Sequence, residues 1–317
     1  MSHWINIFGL YLLIGLLLWV AGNGLSALLA RIIRPSPCTR RERHRLWLLA
    51  SLPITVPATV IVPMLLLSFA KLTGLSADHC LQHEQHHPHF CFIHFPQLFA
   101  QAHQPVILLI TTSLAITWIG YRLSLYFEHK TKTKTLQRLA SGRGCVKTVA
   151  SPEPVAFTLG VRAPEIYLSS GLKTVLSSKQ QRIVLAHEIA HLRHGDLLKN
   201  SVFETLLSFH VRQSNLRERW QLYMETSADD RVARRYDRLD IAETLIKLQR
   251  FKQTGLTGIS FTGASTHARL CRLMDPPETT RNLPLEWIMA FSLLMAPVFL
   301  FDNHHALETI LGWWLVL

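Results

Sequence analysis

The sequence predicts a mainly α membrane protein: four transmembrane helices, with an α+β cytoplasmic domain inserted between spans three and four. Three observations carry that prediction. Hydrophobic residues make up 49% of the 317 and charged residues only 17%, and the apolar ones come in blocks. The basic residues cluster beside those blocks. One long polar stretch, 128–283, has short strand-like runs followed by helical periodicity.

The blocks run from about 4–30, 46–70, 106–127 and 285–301. Each is near the roughly 20 residues needed to cross ~30 Å of hydrocarbon. The first lacks a basic leader and a small-residue cleavage site, so it reads as a retained helix rather than a signal peptide. Its Gly9, Gly15 and Gly22 favour close helix packing. Span two contains Pro53, Pro57 and Pro63, and the carbonyls that these prolines free need partners from neighbouring helices or water.

Orientation follows from the flanking charges. Arg31, Arg34, Arg40, Arg41, Arg43 and Arg45, against a single Glu42, place the 31–45 loop on the cytoplasmic side. Arg122, Lys130, Lys132 and Lys134 after span three agree. The expected arrangement is thus residues 1–127 with three spans, 128–283 as the cytoplasmic domain, and 284–317 as the fourth span with a short interfacial tail. Both termini then lie outside a bacterial-type inner membrane.

The outside loop 71–104 holds seven histidines (His79, His83, His86, His87, His89, His94 and His103). They read either as a metal- or pH-sensing tract or as a polar loop with no fixed ligand spacing, and the second reading is favoured. Cys80 and Cys91 share that loop and can pair if the compartment is oxidising, whereas Cys38, Cys145 and Cys271 should be thiols. The net charge of +12 sits largely beside the spans, where it meets anionic lipid. No nucleic-acid-binding motif accompanies it, so direct nucleic-acid binding is not expected. The first three spans contain no acidic residue or histidine, which disfavours ion transport.

Within the cytoplasmic segment, 145–149, 155–159 and 165–168 are short runs bounded by Gly and Pro, expected to form a small antiparallel sheet. Next comes His187-Glu188-Ile189-Ala190-His191, a H-E-x-x-H motif in an apolar-periodic run. Histidines at i and i+4 share a helix face, so both imidazoles can bind one Zn²⁺, with Glu188 placed as general base. Ser177 with Gln180 forms a capping-box pattern, and Gly195 suits the position after the helix ends. Glu225, 34 residues beyond His191, completes a His₂Glu set with an open fourth position, the composition of a catalytic zinc centre. Asp229, one turn on, is expected to accept the free ring N–H of a ligating histidine. The oxyanion donor is unassigned: His210, Tyr223 and Arg231 are nearby polar candidates, and a structural role is favoured for each.

Four spans, an inward-facing H-E-x-x-H domain and a later E-x-x-x-D resemble the BlaR/MecR-type integral-membrane zinc metallopeptidases, whose domain is zincin-like. The stretch 156–169 and the run His191-Leu192-Arg193-His194-Gly195-Asp196 look like that family's lead-in and follow-on to the metal helix. The prenyl-protein and heat-shock type of membrane zinc peptidase shares the same motifs. The resemblance implies His187, His191 and Glu225 as zinc ligands and Glu188 as catalytic base. It also implies a protein substrate such as a transcriptional repressor; quality control of membrane proteins and a non-catalytic metal sensor or scaffold are the alternatives. The family's signalling members carry a sensor domain after span four. This sequence stops sixteen residues past that span, so a signal is expected through the 71–104 loop, another protein or the bilayer. Nothing in the sequence specifies an oligomeric state.

Overall fold

The structure is a computed structural model. It describes residues 2–33, 35, 39–72, 140–141, 144–160, 163–212, 214–254 and 263–275, with scattered helical positions between 109 and 124. The expectations for spans three and four, for the histidine-rich loop and for the Cys80–Cys91 pair fall largely or wholly outside those residues.

Two long helices begin the chain, α1 (Ser2–Ile32) and α2 (Thr39–Leu72). They contain stretches long and apolar enough to cross a membrane, at Ile14–Ile32 and Arg41–Pro63. At 1.5 Å per residue the two helices extend about 46 and 51 Å, well over the ~30 Å of a hydrocarbon core. They pack tightly where Gly22 meets α2. A Cβ there would lie 2.8 Å from the Leu52 carbonyl oxygen and 3.0 Å from Pro53 Cα, so only glycine allows this approach. Pro53 has no N–H to give to the carbonyl of Leu49, four residues earlier. Ser26 Oγ of α1 donates to that oxygen instead, at 2.9 Å.

The following segment builds a four-stranded sheet from β1 (Ala140–Ser141), β2 (Val146–Val149), β3 (Ala156–Leu159) and β4 (Glu165–Ser169), in the order β1-β2-β4-β3. The expectation of an antiparallel sheet is corrected at one pairing: β2 and β4 run parallel, with Val146 opposite Ile166. Strand alternation is the same in both arrangements, so the sequence does not distinguish them. The chain turns at Ser151–Pro154, runs β3 along the outside and returns as β4 between β2 and β3. β3 is therefore an edge strand, paired antiparallel to β4 alone among the described residues.

Among the described residues six helices follow: α3 (Ser170–Val175), α4 (Ser178–Arg193), α5 (Asp196–Leu207), α6 (Ser214–Val232), α7 (Arg238–Thr254) and α8 (Gly263–Met274). One core joins α4, α6, α7 and α8 through Ile183, Val232, Ile241, Ala242 and Leu273. A second core joins the domain to α2. Leu46, Leu49, Ala50 and Leu52 are fully buried in one cluster with Phe203, Leu207, Leu216, Trp220, Tyr223 and Met224. The Phe203 and Trp220 rings stack at 4.2 Å, and Trp47 meets both edge-on at 5.7 and 5.5 Å. The start of the apolar block at 46–70 thus packs on protein, which accounts for the excess length of α2.

Polar contacts reinforce that junction. Trp19 Nε1 donates to the Phe209 carbonyl at 2.9 Å, and Asn23 Oδ1 accepts from Val211 N at 3.0 Å. At the base of α2, Arg219 and Glu42 form a buried ion pair at 2.8 Å. His210, also buried, donates Nε2–H to the Ala50 carbonyl at 3.1 Å. Burial holds the His210 pKa below the ordinary 6.5, and the bond to Ala50 only partly offsets it. Below that pH the unfolded chain takes up a proton that the folded chain refuses. Stability is therefore fully present above 6.5 and falls as pH drops toward the lower folded value. Denaturant titrations of the full chain in detergent, at about pH 7.5 and about pH 5, are expected to show this loss. His210→Gln is expected to lose less than the wild type over that interval; an equal loss would rule His210 out as its source.

Candidate metal centre

α4 starts on a complete capping box. Ser177 Oγ accepts from Gln180 N at 3.3 Å, and Gln180 Oε1 accepts from Ser177 N at 3.1 Å. It ends at Gly195, whose φ of +62° permits an abrupt turn into α5. Between these ends His187 and His191 share one face. α6 packs across α4 and presents Glu225 toward them.

The three side chains converge. The two histidine Nε2 atoms lie 3.1 Å apart, with Glu225 oxygens 3.3 Å from His187 Nε2 and 3.8 Å from His191 Nε2. One ligand atom from each of the three falls within 4.8 Å of the others. Tetrahedral zinc with bonds of ~2.0–2.1 Å separates its ligand atoms by about 3.3 Å, so the donor set fits this ion in both chemistry and spacing.

The outer nitrogens of both rings are committed. His187 Nδ1–H donates to Asp229 Oδ1 at 3.1 Å, and His191 Nδ1–H donates to Asp196 Oδ2 at 3.0 Å. Each carboxylate turns the opposite nitrogen, Nε2, toward the shared centre. The carboxylates are themselves held. Asp196 accepts from Lys199 at 3.1 Å and Arg231 at 3.2 Å. Arg269 of α8 donates Nε and Nη2 to Asp229 at 2.8 and 2.9 Å and meets Glu225 Oε2 through Nη1 at 2.8 Å.

The electrostatics favour positive charge at this point. Burial by itself would lower the His187 pKa, but Asp229 and Glu225 outweigh it and push it well up. Burial would likewise raise Glu225 and Asp229. His187 and Arg269 reverse that and hold both carboxylates well below their usual range.

Glu188 points out of the same helix into a cleft of about 160 Å³, lined in part by Ala156, Glu225, Leu245, Thr266 and Arg269. Thr158 Oγ1, on β3, donates to Glu188 Oε2 at 2.7 Å. The cleft therefore opens beside the edge strand.

The structure brings His187, Glu188, His191, Glu225 and Asp229 together. It does not bring the three suggested oxyanion groups to the cleft: His210 is turned to α2, Tyr223 sits on the far side of α6, and Arg231 is engaged with Asp196. Sequence reasoning missed Thr158, Asp196 and Arg269 as parts of the site. Asp196 had a local signal, since a residue just past a left-handed glycine folds back beneath the helix it follows. Thr158 and Arg269 had none, lying 30 residues from Glu188 and 40 from Asp229.

Residues 139–266 match the model of Peptidase family M48. The match contains every acid and histidine of the cluster and stops just short of Arg269. Protease HtpX homolog of Pyrococcus furiosus is 28% identical over 192 residues, 55% of this chain and 65% of the relative. The chain thus aligns with a little under two thirds of that protein's length. Residues 139–266, behind two apolar N-terminal helices, are thus similar to a metallopeptidase domain of the M48 type, and the His187, His191 and Glu225 group is consistent with the zinc that such peptidases bind.

Proposed function

We propose that the protein is a membrane-embedded zinc endopeptidase that hydrolyses peptide bonds of cytoplasmic or membrane proteins. The observation that carries this reading is the closed cluster of His187, His191 and Glu225 with Glu188 beside it, opening on a strand that is at the sheet edge among the described residues. His187, His191 and Glu225 hold the metal, and Asp229 and Asp196 fix the two histidine rings. Zinc, when bound, supplies a Lewis acid that polarises the scissile carbonyl and acidifies water.

The remaining work falls to the protein's own side chains. The outer edge of β3 offers main-chain hydrogen bonds to an extended substrate, which adds there as a further strand next to Glu188. Glu188 takes the proton of the attacking water and delivers it to the leaving amine. Thr158 keeps one carboxylate oxygen engaged, so the other faces the cleft. A hydrogen bond to a charged group is worth about 1.5–3 kcal/mol, so Thr158→Val is expected to lower kcat by about tenfold or more, with KM little changed. Thr158→Ser should recover most of the rate. Equal kcat in the Val variant would remove this positioning role.

The topology that places the domain on the cytoplasmic face belongs to the same proposal and rests on the flanking arginines. The BlaR/MecR resemblance supports a regulatory substrate such as a repressor. The burial of α2 against the domain instead supports membrane-protein substrates, because it keeps the cleft close to the bilayer. Comparing proteomes of cells carrying the wild type and Glu188→Gln separates the two. One stabilised regulator supports the first, many stabilised membrane proteins support the second, and no difference would sink the protease reading.

A further inference from the structure

A second cavity, of about 380 Å³, lies behind α6, on the side away from the metal cluster. Tyr223, Ser227, Asp230 and Arg231 are related by three- and four-residue steps and so lie toward one side of α6, and Arg234 joins them from the turn just past its end. Glu225 is two residues from Tyr223, about 200° around the helix, and points the other way. His194, at the end of α4, and Arg43, near the base of α2, complete the walls. None of these residues lines the cleft beside Glu188.

The charge of this cavity is unbalanced. Three guanidinium groups face one carboxylate, Asp230, which is already paired with Arg272 at 2.8 Å. Arg231 is matched by Asp196 at 3.2 Å. Arg43 and Arg234 meet no carboxylate within ion-pair distance among the described residues. The hydroxyl-bearing Tyr223 and Ser227 are buried, at 5% and 9% exposure, and supply O–H groups to the cavity wall. A merely solvated basic face is convex and has no such polar floor. Guanidinium forks from two walls with hydroxyls between them suit an anion with several oxygens in three dimensions better than a planar carboxylate. Arg43 also belongs to the helix whose apolar stretch, Arg41–Pro63, is long enough to cross a membrane, so the cavity is joined to the membrane-facing part of the chain.

We propose that the cavity formed by Arg43, His194, Tyr223, Ser227, Arg231 and Arg234 is a binding site for a phosphate group. Two sources share this chemistry: the headgroup of an anionic phospholipid and a free phosphate. Arg231 also holds Asp196 beneath His191, so the test leaves it intact and removes Arg43 and Arg234.

The experiment uses the full chain in detergent. Native mass spectrometry reads retention of phosphatidylglycerol against phosphatidylcholine, and thermal unfolding reads stabilisation by inorganic phosphate against acetate. The wild type is expected to retain phosphatidylglycerol at least about tenfold more than phosphatidylcholine, in line with paired charge-assisted contacts. The double variant Arg43→Gln, Arg234→Gln should bring the two lipids to parity. A control with the same charge change at exposed positions outside the cavity, Lys173→Gln with Arg193→Gln, should keep the preference. Stabilisation by inorganic phosphate in the wild type but not in the double variant, without a lipid preference, would assign the site to free phosphate. The proposal is overturned if the double variant and the wild type respond alike to both probes, if the control loses the preference equally, or if acetate matches phosphate. Neither readout depends on proteolysis, so the outcome is separate from that of the peptidase reading.

Discussion

Glu188→Gln is expected to lose peptide hydrolysis by about 10²–10⁴-fold, the span typical of removing a general base, while keeping its zinc. The substitution is nearly isosteric. The Gln carbonyl oxygen can still accept from Thr158 Oγ1, which lies 2.7 Å from the present carboxylate, so the strand-to-helix contact survives. What disappears is a group able to take a proton from water. The His187, His191 and Glu225 cluster is untouched, and metal content should stay near one ion per chain. Turnover of an unfolded protein substrate, measured beside elemental analysis on the same preparation, checks both halves. Retained turnover would remove Glu188 as base, and lost zinc would make the result uninterpretable as a proton-transfer defect.

Glu225→Ala is expected to lose the metal itself. In the proposed site the carboxylate would supply the third ligand atom, 3.3 and 3.8 Å from the two imidazole nitrogens, and among the described residues no other acid joins the two histidines in such a group. Asp229 is turned to the outer nitrogen of His187 and paired with Arg269, so it cannot swing in without breaking both contacts. An outer partner such as Asp229 is worth about 10–100-fold in metal affinity, and a direct ligand should exceed that. The fold should persist, because Arg269 keeps its two-pronged bond to Asp229. Full zinc occupancy in Glu225→Ala by elemental analysis would refute the ligand assignment. Asp229→Asn offers a graded comparison, with weakened rather than abolished binding.

Much of this centre was legible in one dimension because helices repeat every 3.6 residues. H-E-x-x-H puts two imidazoles on one face, and E-x-x-x-D does the same for two carboxylates, whatever the rest of the chain does. The capping box and the glycine after His194 were legible for the same local reason: each concerns groups within four residues of one another. Pro53 likewise implied an orphaned carbonyl, although only the packed pair of helices shows that Ser26 satisfies it. The sheet was less legible. Its strands were visible as short runs, but the parallel pairing of β2 with β4 depends on which strand inserts between which, and alternation is blind to that.

By itself, then, the sequence determined the chemistry on offer: two apolar N-terminal helices, a helix with two histidines on one face, a later acidic helix and the identities of the side chains proposed as ligands. Those features are short-range, set by spacing along a helix and by the length of an apolar run. Tertiary structure alone decided which groups surround them. Arg269 clamps Glu225 and Asp229, Thr158 holds Glu188, Asp196 supports His191, and Leu46, Leu49, Ala50 and Leu52 of α2 are buried under the domain. Each of those contacts joins groups that different elements bring together, so their closeness comes from the packing of helices and sheet, which no local spacing encodes.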